Sequence, residues 1–200
     1  GLNQKFFGDS DSQPTKIEFS EIVDFVRGTS YTSSEINEDG NGNLLVNLNC
    51  FDDGGGFIDK GLIYTTGKPN TAPITPGEIL IAITEVTREA KIIGYPLFVP
   101  KSTNSKPIFH SMDTVHLKFK NTLDFDKNFL YYFLRSELYH KKILAITGGT
   151  TVLHLNLGFT EKIQIPLLSL GEQEEIASRL GSADTRIQVE KQNYEKLRKL

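Results

Sequence analysis

The sequence holds one cysteine, Cys50, in 200 residues, which excludes an internal disulfide and any zinc site built from several thiolates. A lone thiol suits a reducing compartment. No apolar run approaches the roughly 20 residues that span a bilayer, so no membrane segment is expected. No charged-then-apolar leader opens the chain. Methionine occurs once, at the internal Met112, and the first residues are Gly1-Leu2-Asn3; the expectation is a cytoplasmic piece of something larger. Positive charge is also scarce: 22 Lys plus Arg against 25 Asp plus Glu give a formal net charge of −3. That excludes a generally basic nucleic-acid coat, because bulk charge would repel phosphate. It leaves room for one local face.

Signatures of chemistry are missing too. A nucleotide-cradling Gly-x-x-x-x-Gly-Lys-Ser/Thr is absent. The one dense glycine run, Gly54-Gly55-Gly56, follows an acidic turn and reads as a flexible hairpin, not as a cofactor loop. No Asn-Pro-Pro-aromatic loop of a base methyltransferase occurs. Glu89-Ala90-Lys91 supplies the Glu-x-Lys half of a nuclease motif, with Glu78 upstream, but the partner aspartate is missing. His110, His116, His140 and His154 lack metal-ligand spacing and read as surface or strand-edge residues. No catalytic residue, metal or cofactor is therefore expected.

With 38% hydrophobic and 10% aromatic residues the chain is globular. Lys16–Arg27 reads as strand, turn, strand, and Ile79–Ile83 as a buried strand opened by Pro76-Gly77. Ile92–Val99 reads as a further strand or a bulged pair. Thr114–Phe119 alternates apolar and polar residues as a half-buried strand would. Helical spacing from Phe129 to Leu138 predicts one amphipathic helix from Asp126 to about Ile146, stopped by Gly148-Gly149. A last strand is expected over 162–166. The fold class expected is α+β: a mixed, mostly antiparallel twisted sheet with a few helices, then a long coiled-coil-type helix.

That last segment opens with capping-box spacing, Ser169 to Glu172. Ile176, Leu180, Ala183, Ile187, Tyr194 and Leu197 follow at steps of 4, 3, 4, 7 and 3, a heptad seam interrupted at Glu190. Six acidic and six basic residues balance on 172–200, leaving 19 acidic against 16 basic on 1–171. The division expected is a domain over 1–170 and a partner helix over 171–200.

The run Gly148-Gly149-Thr150-Thr151, Ile163-Gln164-Ile165-Pro166-Leu167, Glu172-Gln173-Glu174-Glu175-Ile176, Leu180 and Asp184, in that order, resembles the specificity (S) subunits of type I restriction–modification systems. Upstream, Gly28-Thr29-Ser30-Tyr31 and Pro76-Gly77-Glu78-Ile79-Leu80 are similar to that family's early glycine turn and Pro-Gly-Asp-Ile-Leu strand. The resemblance implies a non-catalytic subunit with target recognition domains, each followed by a long helix. The helices pair antiparallel as a ruler between the halves of a split DNA site, and methyltransferase (M) and restriction (R) subunits assemble around them. One domain and one helix stand here, so the chain is read as half of such a subunit. It would pair through its seam with a second half or as a homodimer.

Readout of double-stranded DNA calls for Arg, Lys, Asn, Ser and Thr on loops, with phosphate contacts setting the register. Four polar segments supply them: Thr29, Ser30, Tyr31 and Thr32; Arg88 and Lys91; Lys101, Ser102, Asn104 and Lys106; and Lys141 with Gly149, Thr150, Thr151 and His154. With net negative charge on 1–171, the reading face should be polarised against an acidic far face. The competing reading is a protein-interaction adaptor that uses its helix without touching DNA.

Overall fold

The computed structural model describes residues 15–37, 39–101, 106–120 and 122–198. The chain opens with β1 (Lys16–Glu18), one helical turn α1 (Phe19–Ile22) and β2 (Val23–Arg27). Phe19 and Ile22 point into the core from that turn, which is why an apolar segment that reads as two strands is bent between them. There follow β3 (Ile36–Asn37), β4 (Asn43–Val46), β5 (Ile63–Thr65), β6 (Ile79–Ala82), β7 (Thr84–Glu85), β8 (Pro96–Phe98), β9 (Ile108–His110) and β10 (Thr114–Phe119). The second half brings α2 (Lys127–Leu134), α3 (Glu137–Ile146), β11 (Thr147–Gly148), β12 (Leu153–Leu155), α4 (Leu157–Thr160), β13 (Gln164–Pro166) and α5 (Leu170–Leu197).

The central sheet runs β2-β10-β6-β8, antiparallel throughout. A second sheet, β3-β5-β4-β9, is antiparallel except for the parallel pair β4–β9. Two small sheets, β11-β12-β7 and β1-β13, complete the α+β fold. The uninterrupted apolar run of β6 follows from burial on both faces. Ile79 and Ile81 join the core under α2 and α3, while Leu80 and Ala82 join a second core with Leu44, Val46 and Ile108.

The same sandwiching corrects two expectations. Strand β10 is not half solvated: His116 is 8% exposed and His110, on β9, 1%. These histidines are interior residues with partners. His110 Nδ1 lies 2.9 Å from Thr114 Oγ1, and that hydroxyl donates to the Ser111 carbonyl at 2.8 Å, so Nδ1 carries the proton. His116 Nε2 lies 2.9 Å from Glu78 Oε2.

The helix expected over 126–146 is two helices. Asp126 caps the first, accepting from Phe129 N–H at 2.6 Å. Ser136 then breaks the run: its backbone is extended and its hydroxyl accepts from Tyr139 N–H at 3.2 Å, starting α3 afresh. The glycine run closes a hairpin, as expected, with Phe51 bridged antiparallel to Phe57. Gly54, Gly55 and Gly56 all hold positive φ, 76°, 94° and 117°, in a turn closed by Asp52 N–H on the Gly56 carbonyl at 3.0 Å. The strand expected over 92–99 is pared to β8.

Helix α5 carries the expected capping box: Ser169 Oγ accepts from Glu172 N–H, and the Glu172 carboxylate accepts from Ser169 N–H at 2.9 Å. Over 28 residues at 1.5 Å each it extends about 42 Å. Its first half lies on α2, and Ala177 and Leu180 are core residues at 6% and 4% exposure. Gln173 is fully buried; its side chain accepts from Asp126 N–H at 2.8 Å and donates to the Leu168 carbonyl at 2.9 Å. Beyond Asp184 the helix stands clear, with Ile187, Tyr194 and Leu197 at 52%, 61% and 69%. Among the described residues no helix is long and apolar enough to cross a membrane.

Candidate nucleic-acid interface

Three of the four polar segments meet at one end of the central sheet, where β2 ends, β10 begins and β6 ends. A chain of backbone hydrogen bonds builds that end: Met112 N–H to the Thr29 carbonyl, Ile83 N–H to Asp113, and Leu155 N–H to Ile83, each 2.9 Å. Thr29–Thr32, the loop after β7 and the β11–β12 hairpin are thereby neighbours. In the small sheet His154 stands between Gly148 and Thr84.

The turn at Thr29 is entered through a close approach. A Cβ on Gly28 would lie 2.2 Å from the His110 carbonyl oxygen, so only glycine fits there. Thr29 is 2% exposed and its hydroxyl is spent internally, donating to Asn70 Oδ1 at 2.7 Å. It holds the loop and leaves Ser30 exposed. Tyr31 is half-buried, and burial, with nearby Asp113, raises its hydroxyl above the ordinary range. Exposed Thr32 caps the turn at Ser33–Glu35.

The second loop, Val86–Lys91, is shaped by the buried carboxylate of Glu85. It accepts from the Thr87 hydroxyl at 2.5 Å and from the N–H groups of Lys91, Ile92 and Ile93 at 2.8, 3.0 and 2.9 Å. Burial raises its pKa, but these bonds outweigh burial and hold it below the ordinary carboxylate value. The loop presents Val86, Thr87, Arg88 and Glu89, all exposed. Arg88 Nε donates to the Thr150 carbonyl at 3.1 Å, joining this loop to the hairpin turn that carries Gly149, Thr150 and Thr151. Lys91 is drawn to acids, 2.7 Å from Glu89 and 3.4 Å from Asp53. A groove of about 540 Å³ runs beside the loop, lined by Asn49, Asp53, Lys60, Val86, Glu89 and Lys91 among others.

The remaining positions lie elsewhere. Lys106 is at the far end of β9 from Ser111, its ammonium on the Gly40 carbonyl and over the Tyr64 ring at 4.8 Å. Lys101 is exposed, while Ser102 and Asn104 fall outside the described residues. Lys141 sits on the outer side of α3, paired with Glu137 at 2.8 Å. Of the seam, Ile176 is partly buried against the chain's own core and Leu180 is fully inside it; Ala183 is intermediate. Sequence reading missed Asn70, Met112 and Val86, the last two 51% and 71% exposed. None carries a periodic or motif signal; Asn70 is brought here by its two hydrogen bonds with the Thr29 hydroxyl, and Met112 and Val86 by the strands they adjoin.

Glu78 is bound to His116 while Glu89 is bound to Lys91, so the two carboxylates of the nuclease half-motif have separate structural partners. Among the described residues no group of three or more His, Cys, Asp or Glu side chains could hold a metal ion.

A stretch of 74 residues is 35% identical to the type I restriction enzyme MjaVIII specificity subunit of Methanocaldococcus jannaschii, covering 37% of this chain and 17% of that protein. The S subunit of a type I restriction-modification system from M. genitalium superposes with a TM-score of 0.64 at 21% identity, over 96% of this chain and 45% of that one. The HsdS subunit from Thermoanaerobacter tengcongensis superposes at 0.61 with 19% identity, over 96% and 44%. The match thus spans less than half the length of each of these proteins. At these identities the two superpositions speak for the fold alone. The sequence itself matches a family across residues 13–199. With the sheet, the hairpin and the capped helix in place, this chain belongs to the type I restriction modification DNA specificity domain family.

Proposed function

We propose that this chain reads one half of a split double-stranded DNA site and performs no reaction of its own. The observation that carries this is the convergence of Ser30–Thr32, Arg88 and Thr150–His154 on one end of the central sheet, in a member of a DNA specificity family. Hydroxyls, one guanidinium and one imidazole gathered there suit base edges and phosphates. Exposed Val86 adds an apolar contact of the kind that meets a thymine methyl group. Thr29 serves by holding its loop. Lys91 is assigned to a phosphate contact at the margin of that end, while Lys101, Lys106 and Lys141, which lie away from it, are left to longer-range steering by salt-screened charge.

Residues 1–170 form the recognition unit and 171–200 the spacer helix. The first half of that helix is fastened to the domain, so pairing with a second copy or second half falls to Ile187, Tyr194 and Leu197, with Ile176, Leu180 and Ala183 supporting the helix from beneath. Methyltransferase and restriction subunits dock on that assembly, in the cytoplasm, where the DNA is.

The test is selection from a pool of randomised duplexes in the presence of the cognate methyltransferase subunits. Enrichment of one short motif, bound with an affinity that falls steeply as salt rises, is the expected result. Enrichment of nothing, with the methyltransferase subunits still captured by the helix, would establish the adaptor reading instead. In solution the isolated chain is expected to have the mass of a dimer, and Ile187→Lys with Leu197→Lys that of a monomer.

A further inference from the structure

One side-chain cluster outside the reading surface ties three separate parts of the chain together at the foot of the free helix. Arg135 ends α2. Its Nε donates to the Gly54 carbonyl at 3.2 Å, its Nη1 pairs with Asp184 of α5, and its guanidinium lies over the rings of Tyr131 and Tyr132 at 5.3 and 5.9 Å. Gly54 in turn donates its N–H to the Lys91 carbonyl at 3.0 Å, at the end of the loop that carries Arg88. Lys91 also reaches Asp53 of the same turn. On the helix, one turn before Asp184, Gly181 packs beside Tyr132, where an added Cβ would stand in ordinary contact with its hydroxyl at 3.4 Å. Burial and the Asp184 charge push Tyr132 up to about 12, so that hydroxyl stays protonated.

A guanidinium is a planar fork whose donors leave in fixed directions, so using two of them on two elements fixes an angle as well as a distance. The pair is only partly exposed, 23% at Arg135 and 36% at Asp184, and therefore less screened than a surface pair. Asp184 pairs with the domain, and Ile187, less than one turn further along α5, is exposed. Resting on the reading in which this helix spaces two half-sites, we infer that Arg135 is a positioning residue: it locks the helix and the loop Val86–Lys91 into one frame, and so sets the separation at which half-sites are read. The leverage is large. From Asp184 to Leu197 the helix extends about 20 Å, and a tilt of about 10° moves its tip by about 3.5 Å, close to the rise of one base pair.

The experiment uses the full chain labelled with nitroxides at Lys68→Cys and Gln188→Cys, both exposed positions. Cys50 is fully buried and its thiol is pushed up to about 11, so it does not take the label. Labelled chain is diluted with unlabelled chain so that pulsed EPR reads distances within one molecule. The expected result is a narrow distribution that broadens roughly twofold with Arg135→Gln or Asp184→Ala. Asp184→Asn, which keeps the shape of the side chain, is the second variant should either of those fail to fold. Distributions that stay as narrow as the parent's overturn the lock.

In a second arm the same chains are offered duplexes recovered from a randomised pool, as single half-sites and as pairs whose spacer grows one base pair at a time. The variants are expected to keep half-site binding and lose the preference for one spacer, and Arg135→Lys to restore part of it. A broadened distance distribution with an unchanged spacer preference overturns the spacing role. A parent chain that binds no duplex overturns that role together with the DNA reading beneath it, while the EPR distances still decide the lock.

Discussion

Arg88 and Thr150 are 62 positions apart in the chain, and the Nε of one donates to the carbonyl of the other at 3.1 Å. The bond fixes the guanidinium over the hairpin turn and commits one of its donors. The terminal fork is what remains for a phosphate or a guanine edge. Arg88→Ala is expected to weaken binding to the selected duplex about tenfold, at the low end of the 1–3 kcal/mol of such contacts. If the fork serves a phosphate, the slope of log affinity against log salt drops by about 1. Arg88→Lys keeps the charge and loses the fork, so it should retain the slope and lose sequence discrimination. Fluorescence anisotropy across a salt series measures both. Wild-type affinity in Arg88→Ala would remove this residue from the interface.

Gln173 bridges Asp126 N–H and the Leu168 carbonyl from a fully buried position. Truncation leaves a donor and an acceptor without partners in the interior, each costing on the order of 1–3 kcal/mol. Gln173→Leu is therefore expected to lower stability by about 2–4 kcal/mol in urea unfolding, with little change in the m-value. A loss below about 0.5 kcal/mol would mean that water replaces both bonds.

The buried histidines make stability depend on pH with a definite sign. Burial, and secondarily the neighbouring His116, lower His110 to about 4. Burial also lowers His116, against the opposing pull of Glu78. Because the unfolded chain takes up protons on these rings first, their neutral burial favours the fold fully above about pH 6.5. That contribution is lost progressively as pH falls towards 4, and for His110 it is on the order of 3 kcal/mol. Thermal unfolding followed between pH 7.5 and 4.5 should show this decline, and His110→Asn should flatten it. An acid limb equally steep in that variant would place the proton uptake on other groups.

Ser169 and Glu172 announce the start of α5 because a capping box is local chemistry, completed within four residues. The apolar run 79–83 announces a buried strand for the same reason, since alternate side chains must leave opposite faces. The break at Ser136 leaves little trace in the sequence, because an unbroken apolar stripe crosses it and the cap is one hydroxyl on one amide.

The seam on the last helix is legible only in part. Its spacing marks an apolar stripe and says nothing of what covers it. Leu180 and Ile187 occupy equivalent heptad positions, yet one is 4% exposed and the other 52%, because α5 packs on α2 through its first half.

By itself, then, the sequence determined the composition, the α+β class, the capped helix and the motifs that mark the family. Each rests on interactions between residues close in the chain, or on composition. The tertiary structure alone decided that Ser30, Arg88 and Thr150 share one end of a sheet, that His110 and His116 are interior, and that Arg135 reaches Gly54 and Asp184 together. Those are contacts across tens of residues, and strand pairing closes them only after the chain has chosen its register.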